Sequence, residues 1–403
     1  MRQSRSLAPL VSVALAFGLY GWAVFALAFR HDGVIGPRYN YPGTDFMVYY
    51  GAARAALTGH LPLLFDGDRF TAFLNQTFAP LLRGELPFHP WVYPPHFLLL
   101  LLPFGLLPFG PACFLFLALS FAGLVAALGT LYRGRRLALA AAAVLLAPAA
   151  SITAVTGQNG FLTAALLLGG GSIAAARPVL AGVLFGALTY KPQFFLMAPV
   201  ALLASRNWRA LAAMGAAALV ALLASAAVFG VAPWLEWGRE ILAPGASFRD
   251  QWRQWSVLFD DDVFAVAALL GASDAVAKAA QGIAMLVAAG AVFWAWSGAL
   301  RRELRVAVLL AASCLAAPHL QGYDMVLLAA AAVLFLYDAL DNGLRTGDAA
   351  LALALWLLPI FNPPRATPAG FATPVIELLT IAVILWRSRA PMPSLAGTAE
   401  DRA

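Results

Sequence analysis

Residues 306–336 read VAVLLAASCLAAPHLQGYDMVLLAAAAVLFL, two apolar runs separated by the polar segment PHLQGYD at 318–324. Both runs are continuous rather than alternating, which predicts helices and not the strands of a membrane barrel. Similar runs recur along the chain, since 62% of its 403 residues are hydrophobic and 11% are charged. A soluble domain has about a quarter of its residues charged. The composition therefore excludes a soluble or disordered protein and predicts an all-α, polytopic membrane protein.

Twelve membrane crossings account for the apolar segments and for the distribution of arginine. A crossing helix needs about 20 mainly apolar residues, and arginine collects in cytoplasmic loops. Arg2 and Arg5 precede the first span, and alternation then puts most of the other arginines on the same side. We therefore predict that both termini are cytoplasmic. The expected spans lie near 7–29, 137–154, 159–176, 178–190, 192–205, 209–230, 277–298, 304–318, 322–340, 347–361 and 371–387, with one crossing and a half helix in 95–132.

Two loops on the outer side are long and rich in aromatic residues, at 30–94 and 231–276. Aromatic residues mixed with charges are typical of short helices in the membrane interface. We predict a single membrane domain over 1–389 that includes both loops, and a short cytoplasmic tail over 390–403.

The charge balance does not indicate a nucleic-acid partner. The net charge is +6, from 26 basic and 20 acidic residues, but no basic run exceeds two residues. Cys113 and Cys314 both lie in apolar stretches, so neither a disulfide framework nor a zinc site is indicated. The expected partners are membrane lipids and lipid-linked substrates.

Asp45 follows the first span, in the sequence GTDFMVYY at 43–50. Phe46, Tyr49 and Tyr50 recur at helical spacing, which predicts an interfacial helix with Asp45 near its first turn. The carboxylate can cap that helix, or it can act in catalysis close to the lipid head groups. The sequence leaves both interpretations open.

Two further polar segments interrupt apolar runs on the outer side. Gln158 and Asn159 lie in GQNG, which forms either a tight turn or a set of hydrogen-bonding groups for sugar hydroxyls. Lys191 is one of two lysines in the chain and precedes the helix-breaking Pro192. It either binds an anionic phosphate head group or extends toward the interface as a snorkelling lysine.

His319 lies in the polar segment between the two apolar runs quoted above. It can hydrogen-bond at a helix end, or it can bind substrate and change charge near neutral pH. Asp260, Asp261 and Asp262 could bind a cation in principle. Adjacent carboxylates do not converge on one ion without other ligands, so we expect a solvated loop there and no metal.

Asp45, Lys191 and His319 fall on the same face of the membrane under this topology. A carboxylate, a cation and an imidazole at a lipid interface suit group transfer from a lipid-phosphate donor. Asp45 would take the proton of an acceptor hydroxyl, and Lys191 would neutralise charge on the departing phosphate.

The order of several motifs resembles glycosyltransferase family 87 over about residues 40–325. They are TDF at 44–46 with Tyr49 and Tyr50, YPP at 93–95, GQN at 157–159, KPQ at 191–193, and His319 with YD at 323–324. The family consists of bacterial integral-membrane glycosyltransferases of the GT-C type, similar to polyprenol-phosphate-mannose-dependent α-1,2-mannosyltransferases.

The resemblance implies a polyprenyl-phosphate-linked hexose donor, with mannose expected, and a lipid or glycan acceptor. It implies transfer on the periplasmic side of the bacterial inner membrane, with Asp45 as the base. The sequence has no evident metal motif, and we expect no metal or other cofactor. Lys191 and His319 match positions that line the donor phosphate and sugar in the family. The other residues that we expect to bind substrate are Tyr49, Tyr50, Gln158, Asn159 and Gln193.

Two other functions remain open from the sequence. A lipid or sugar transporter, or flippase, also has broken helices, although its polar residues usually lie at mid-membrane. A membrane ligase or polymerase that joins glycans would use the same face and could share the base.

Overall fold

The structure is a computed structural model that describes residues 7–30, 43–82, 84–242, 250–251, 253–254, 257, 259–361 and 371–387. The described residues form helices and connecting turns without a strand, which confirms the all-α prediction. The start of the first expected outer loop, at 31–42, and the expected tail at 390–403 lie outside the described residues.

The helices in the first half of the chain are α1 Ala8–Arg30, α2 Thr44–Leu57, α3 Gly67–Phe78, α4 His96–Gly105, α5 Phe109–Leu128, α6 Gly134–Leu145, α7 Pro148–Thr156, α8 Gly160–Ile173, α9 Pro178–Ala187, α10 Pro192–Phe195 and α11 Met197–Ala204. Those in the second half are α12 Trp208–Phe229, α13 Ala232–Leu242, α14 Val263–Leu269, α15 Asp274–Ser297, α16 Arg302–Ala316, α17 Val326–Asp341, α18 Asp348–Leu357 and α19 Thr373–Arg387. Short 3-10 turns occur at Leu61–Phe65, Leu188–Tyr190 and Leu358–Phe361.

Three of the described helices, α5, α12 and α15, are individually long and apolar enough to cross a membrane. Helices α6 and α7 are together long and apolar enough to form one crossing, with a bend of 63° between them. The other apolar stretches, including Ala8–Ala23 within α1, are 10–17 residues long, so the number of twelve crossings stays a prediction. The proline-broken block at 95–132 divides into the short α4 and the long α5, as its prolines indicate.

Helices α16 and α17 form the centre of the molecule. Every side chain from Val306 to Ala317 is buried, and so is every side chain from Met325 to Phe335. Helices that are apolar on all sides are expected in such a central position. Helix α12, by contrast, exposes much of its apolar surface and presents a lipid-facing side. The polar segment 318–324 therefore emerges from the most buried hairpin of the fold.

The turn between α7 and α8 meets segment 318–324 at one end of the helices. The turn between α7 and α8 has Gly157 in the left-handed region, at φ 75°, and is followed by Gly160. A Cβ atom on Gly160 would overlap the backbone carbonyl of Tyr323, so glycine lets α8 approach segment 318–324 closely. Thr153 reinforces this contact by donating a hydrogen bond of 3.1 Å to the same carbonyl.

Candidate functional site

A cavity of about 210 Å³ opens at this end of the helices. Its walls come from the first turns of α2, the segment that precedes α4, and the end of α7 with the turn after it. The segment between α16 and α17 and Phe259 before α14 complete them. The lining residues are Asp45, Val48, Tyr49, Phe88, His89, Pro90, Val92, Tyr93, Ile152, Thr156, Gln158, Phe259, Gln321, Gly322 and Tyr323.

Asp45 is the carboxylate of this cavity, and its side chain is 19% exposed. Helix α2 begins after Gly43, and the carboxylate of Asp45 makes no capping hydrogen bond among the described residues. It accepts a 3.2 Å hydrogen bond from the Gln158 amide instead. Burial raises the pKa of Asp45 above its ordinary value, while His89, the Gln158 hydrogen bond and Lys191 act in the opposite direction. Asp45 therefore faces the cavity as a desolvated carboxylate.

His89 is a site residue that the sequence reasoning missed. Its Nδ1 lies 2.7 Å from the Pro87 carbonyl oxygen, which can only accept, so Nδ1 carries a hydrogen. Its Nε2 then points to Asp45, 3.8 Å from the carboxylate oxygen. The backbone N–H of His89 donates to the Thr71 hydroxyl at 2.9 Å and fixes the residue further. A histidine in the proline-rich segment PFHPWVYPP at 87–95 was the available signal.

A network of four polar side chains continues from Asp45 into the protein. Tyr49 donates to the side-chain oxygen of Gln158, and its hydroxyl lies 2.8 Å from that of Tyr93. The Asn159 amide donates to both hydroxyls, at 2.8 and 3.1 Å. Gln158 and Tyr49 line the cavity, whereas Asn159 is fully buried behind them. The GQNG segment therefore forms a tight turn and also supplies groups to the site.

Lys191 lies in the protein interior, behind the wall of the cavity. Its side chain is 4% exposed and forms an ion pair with Asp324, which is 1% exposed. The ammonium group also donates to the Asn159 oxygen at 3.0 Å and lies 5.0 Å from the centre of the Tyr323 ring. It does not line the cavity, so its charge reaches the site through Asn159 and across the ring of Tyr323.

The expectation of a solvated acidic loop at Asp260, Asp261 and Asp262 is wrong, because these residues are only 1%, 1% and 3% exposed. Tertiary hydrogen bonds hold the segment against residues 319–321. The backbone N–H of Asp261 donates to the Leu320 carbonyl at 2.8 Å, a contact across 59 residues that sequence spacing does not indicate.

Asp262 has both of its carboxylate oxygens engaged. One oxygen caps α14 by accepting from the Ala265 N–H at 2.7 Å, and the other accepts from the His319 N–H at 2.6 Å. Burial and the charge of Asp260 raise the pKa of Asp262 to about 6, against the opposing effect of these hydrogen bonds and of His319. The residue fastens α14 to the backbone at His319.

The side chain of His319 stays partly accessible, at 34% exposed. Its Nδ1 lies 2.8 Å from Asp260, and its backbone adopts a left-handed φ of 66°. Burial lowers the pKa of His319, but the hydrogen bond and the negative charges of Asp260 and Asp262 raise it more, so the net shift is upward. Gln321 donates to Asp260 at 3.0 Å and lines the Asp45 cavity, which links the two groups.

The ligand atoms of Asp260, Asp262 and His319 lie within 4.8 Å of one another, a spacing that a divalent cation could use. Both carboxylate oxygens of each aspartate and the Nδ1 of His319 already take part in hydrogen bonds. The prediction that no metal is required therefore stands as a prediction.

Two of the residues expected to bind substrate, Tyr50 and Gln193, lie away from the cavity. Tyr50 donates a 2.8 Å hydrogen bond to the Leu107 carbonyl and packs against Phe109. Gln193 is half-buried in α10 and does not line the cavity. The structure thus brings together Asp45, Tyr49, Gln158 and, through Asn159, Lys191, with His319 adjacent by way of Gln321.

A family model described as Glycosyltransferase family 87 matches residues 91–318. The matched region covers more than half of the chain and includes Tyr93, Gln158, Lys191 and Asp262. Asp45 and His89 precede it, and His319 follows it directly. No curated protein and no solved structure matches the chain.

Proposed function

The chain belongs to glycosyltransferase family 87 and is a membrane glycosyltransferase, and we propose that it uses a polyprenyl-phosphate-linked hexose as donor. The proposed sugar is mannose, and the proposed acceptor is a hydroxyl group of a lipid or glycan. The reaction takes place on the periplasmic side of the bacterial inner membrane, with both termini in the cytoplasm. It requires no metal or other cofactor.

The observation that carries this proposal is the carboxylate of Asp45 in the wall of the cavity. A general base must be able to reach the proton that it removes, and its pKa should lie near the working pH. Asp45 is accessible from the cavity, and burial moves its pKa upward toward that range. In the proposed step Asp45 takes the proton of the acceptor hydroxyl. The acceptor oxygen bonds to the anomeric carbon of the sugar, and the bond from that carbon to the phosphate oxygen breaks.

His89 is placed to share the proton that Asp45 receives. Its Nδ1 hydrogen is committed to Pro87, so Nε2 is the nitrogen that faces the carboxylate. A movement of less than 1 Å would bring the 3.8 Å separation into hydrogen-bonding range. We assign His89 the role of positioning Asp45 and of taking up its proton before the next turnover.

The leaving polyprenyl phosphate carries negative charge, which the site can stabilise in two ways. His319 is partly exposed and has a raised pKa, so its imidazolium form can contact the phosphate. Lys191 contributes its charge from behind the cavity wall, where Asn159 and the Tyr323 ring separate it from the cavity. Lys191 is therefore a positioning residue for Asn159 as well as a source of positive potential.

The sugar is proposed to bind against Tyr49, Gln158 and the neighbouring aromatic wall. Phe88, Tyr93 and Tyr323 supply flat apolar faces in that wall. Gln193 and Tyr50 were also expected to bind substrate, and in this structure they would have to act from outside the cavity. Family membership supports a transferase, and no observation on the described residues favours the transporter or flippase.

The direct test is a transfer assay with purified protein in lipid nanodiscs. Radiolabelled polyprenyl-phosphate mannose and polyprenyl-phosphate glucose are supplied separately, together with a lipid extract from the host. We expect labelled mannose to move to an acceptor with the wild type and with His60→Gln, a control in the exposed turn after α2. Transfer from the glucose donor alone would overturn the choice of mannose, and transfer from neither donor would overturn the proposed donor class.

A further inference from the structure

The end of the molecule opposite the Asp45 cavity contains a second cavity, of about 630 Å³. Helices α5 and α8 start beside the candidate site and end at this cavity, while α16 starts here and ends beside His319. The second cavity therefore lies at the far side of the helices. We call it the arginine cavity, because Arg133, Arg177 and Arg302 line it.

The three guanidinium groups of the arginine cavity have few protein partners. Arg302 donates to the Thr130 carbonyl at 2.9 Å, and Arg133 donates to the Tyr132 carbonyl at 3.2 Å. The side chain of Arg177 makes no hydrogen bond or ion pair with any residue that the structure describes. None of the three pairs with a carboxylate in the described part of the chain.

Other arginines at the same end of the molecule have acidic partners. Arg136 pairs with Asp341, Arg301 with Asp338 and Arg387 with Asp348. Carboxylates are thus available at this end, but the arginine cavity contains none among its lining residues. Arg133 and Arg177 are exposed and Arg302 is half-buried, so their charges can be reached from outside the protein. An anion placed in the cavity would be attracted by all three.

The remaining wall of the arginine cavity is apolar. Ala122, Val125 and Ala126 of α5 face it, together with Leu137 and Ile173. Helix α5 is one of the helices long and apolar enough to cross a membrane, so this wall continues into the hydrocarbon region. The cavity thus presents cations at the end of the helices and apolar side chains along them. This arrangement is complementary to a lipid with an anionic head group and an apolar acyl chain.

We propose that the arginine cavity binds an anionic phospholipid of the leaflet opposite the candidate site. Its phosphate lies among the three guanidinium groups, which are well suited to phosphate oxygens, and one acyl chain packs against the α5 wall. The bound lipid ties together α5, α8 and α16, whose opposite ends lie beside the candidate site. It therefore stabilises the folded protein by mass action.

The test measures lipid binding and not transfer activity. Delipidated protein in a neutral detergent is titrated with phosphatidylglycerol, phosphatidylcholine or inorganic phosphate, and binding is followed by native mass spectrometry and by thermal unfolding. Arg177→Gln is the main variant, because the Arg177 side chain has no partner among the described residues and its loss should not disturb folding. Equal unfolding temperatures without lipid check this point.

Arg209→Gln is the matched control. Arg209 is exposed in the first turn of α12, and Asn207 before it donates to the Ala174 carbonyl at 2.7 Å, which puts this turn beside the end of α8. It lies outside the arginine cavity. The control variant therefore removes the same charge at the same end of the molecule.

We expect phosphatidylglycerol to bind the wild type and Arg209→Gln equally and to raise their unfolding temperatures. Arg177→Gln should bind it about fivefold more weakly, and removal of all three arginines should abolish the preference over phosphatidylcholine. Unchanged affinity of Arg177→Gln, or equal binding of phosphatidylcholine to the wild type, would overturn the proposal. Stabilisation by inorganic phosphate as large as that by phosphatidylglycerol would show a free-anion site and would overturn the lipid assignment.

Discussion

Two carboxylates at the same end of the molecule, Asp45 and Asp324, have opposite surroundings. Asp324 forms an ion pair with Lys191 in the protein interior and is closed off from the cavity. Asp45 receives one hydrogen bond from Gln158, keeps 19% of its side chain exposed and has His89 at 3.8 Å. Removing one partner of a buried ion pair destabilises the fold, so Asp324 is expected to act in folding. A carboxylate that is desolvated but open to a cavity is a candidate for proton transfer, as we propose for Asp45. Substitutions at these two carboxylates and at their neighbours test whether this difference separates catalysis from stability.

The largest expected effect is that of Asp45→Asn. The amide cannot accept a proton, so the rate of sugar transfer should fall by about 10²- to 10⁴-fold, the usual contribution of a general base. The thermal unfolding temperature should stay close to that of the wild type, because the amide preserves the shape of the side chain. Steady-state transfer kinetics and a thermal scan of the same preparation check both points. Substantial residual transfer would remove Asp45 as the base.

Lys191→Met should mainly lower the folding stability of the protein. It leaves Asp324 as an uncompensated buried charge, which typically costs about 3–5 kcal/mol in folding free energy. The double variant Lys191→Met with Asp324→Leu removes both charges and should recover most of the stability. Thermal unfolding of the two variants in the same detergent measures this coupling. Equal stability of the single and double variants would contradict the ion pair as a structural element.

His89→Gln and His89→Asn separate two properties of the imidazole. Glutamine puts a nitrogen near the Nε2 position that cannot accept a proton, and asparagine keeps a donor near Nδ1 for the Pro87 carbonyl. We expect both variants to fold and to lose transfer rate by about tenfold, a smaller loss than for Asp45→Asn. The measurement is kcat with saturating donor. A wild-type rate in both variants would exclude His89 from proton transfer.

The pH dependence of sugar transfer should report the ionisation of the Asp45 carboxylate. Because the base must be ionised, kcat/KM should fall as pH falls through the pKa of Asp45, which burial places above the ordinary aspartate value. The groups that act on this carboxylate are His89, Gln158 and Lys191. A profile of kcat/KM against pH, recorded for the wild type and His89→Gln, checks the direction. An acidic limb at the ordinary aspartate value would contradict the desolvation of Asp45.

The smallest effect is expected at Asp262, whose pKa is raised to about 6 from an ordinary value of 3.8. A raised pKa in the folded state means that the protonated form is stabilised. This contribution is complete below pH 3.8 and disappears as pH rises through about 6. Relative to Asp262→Asn, the wild type should therefore lose a few degrees of unfolding temperature over that interval. A difference between the two proteins that does not change with pH would contradict the shift.

Part of the site could be predicted from the sequence because charge is rare in this chain. Asp45, Lys191 and His319 stood out as ionisable residues beside apolar segments, and the structure brings all three to one end of the helices. His89 did not stand out, because its proposed role depends on a tautomer fixed by the Pro87 carbonyl. The acidic segment at 260–262 was interpreted wrongly for a similar reason, since its hydrogen bonds go to residues about 60 positions away.

The sequence by itself determined three properties of this protein. Its composition indicates a membrane protein, its continuous apolar runs indicate helices, and the order of its short motifs indicates the family. The tertiary structure decided which polar residues are open to a ligand. It placed Asp45 in a cavity wall, Lys191 behind that wall in an ion pair, and three arginines in one space at the opposite end. Burial and pairing depend on segments that are far apart in the chain, so no local pattern contains them.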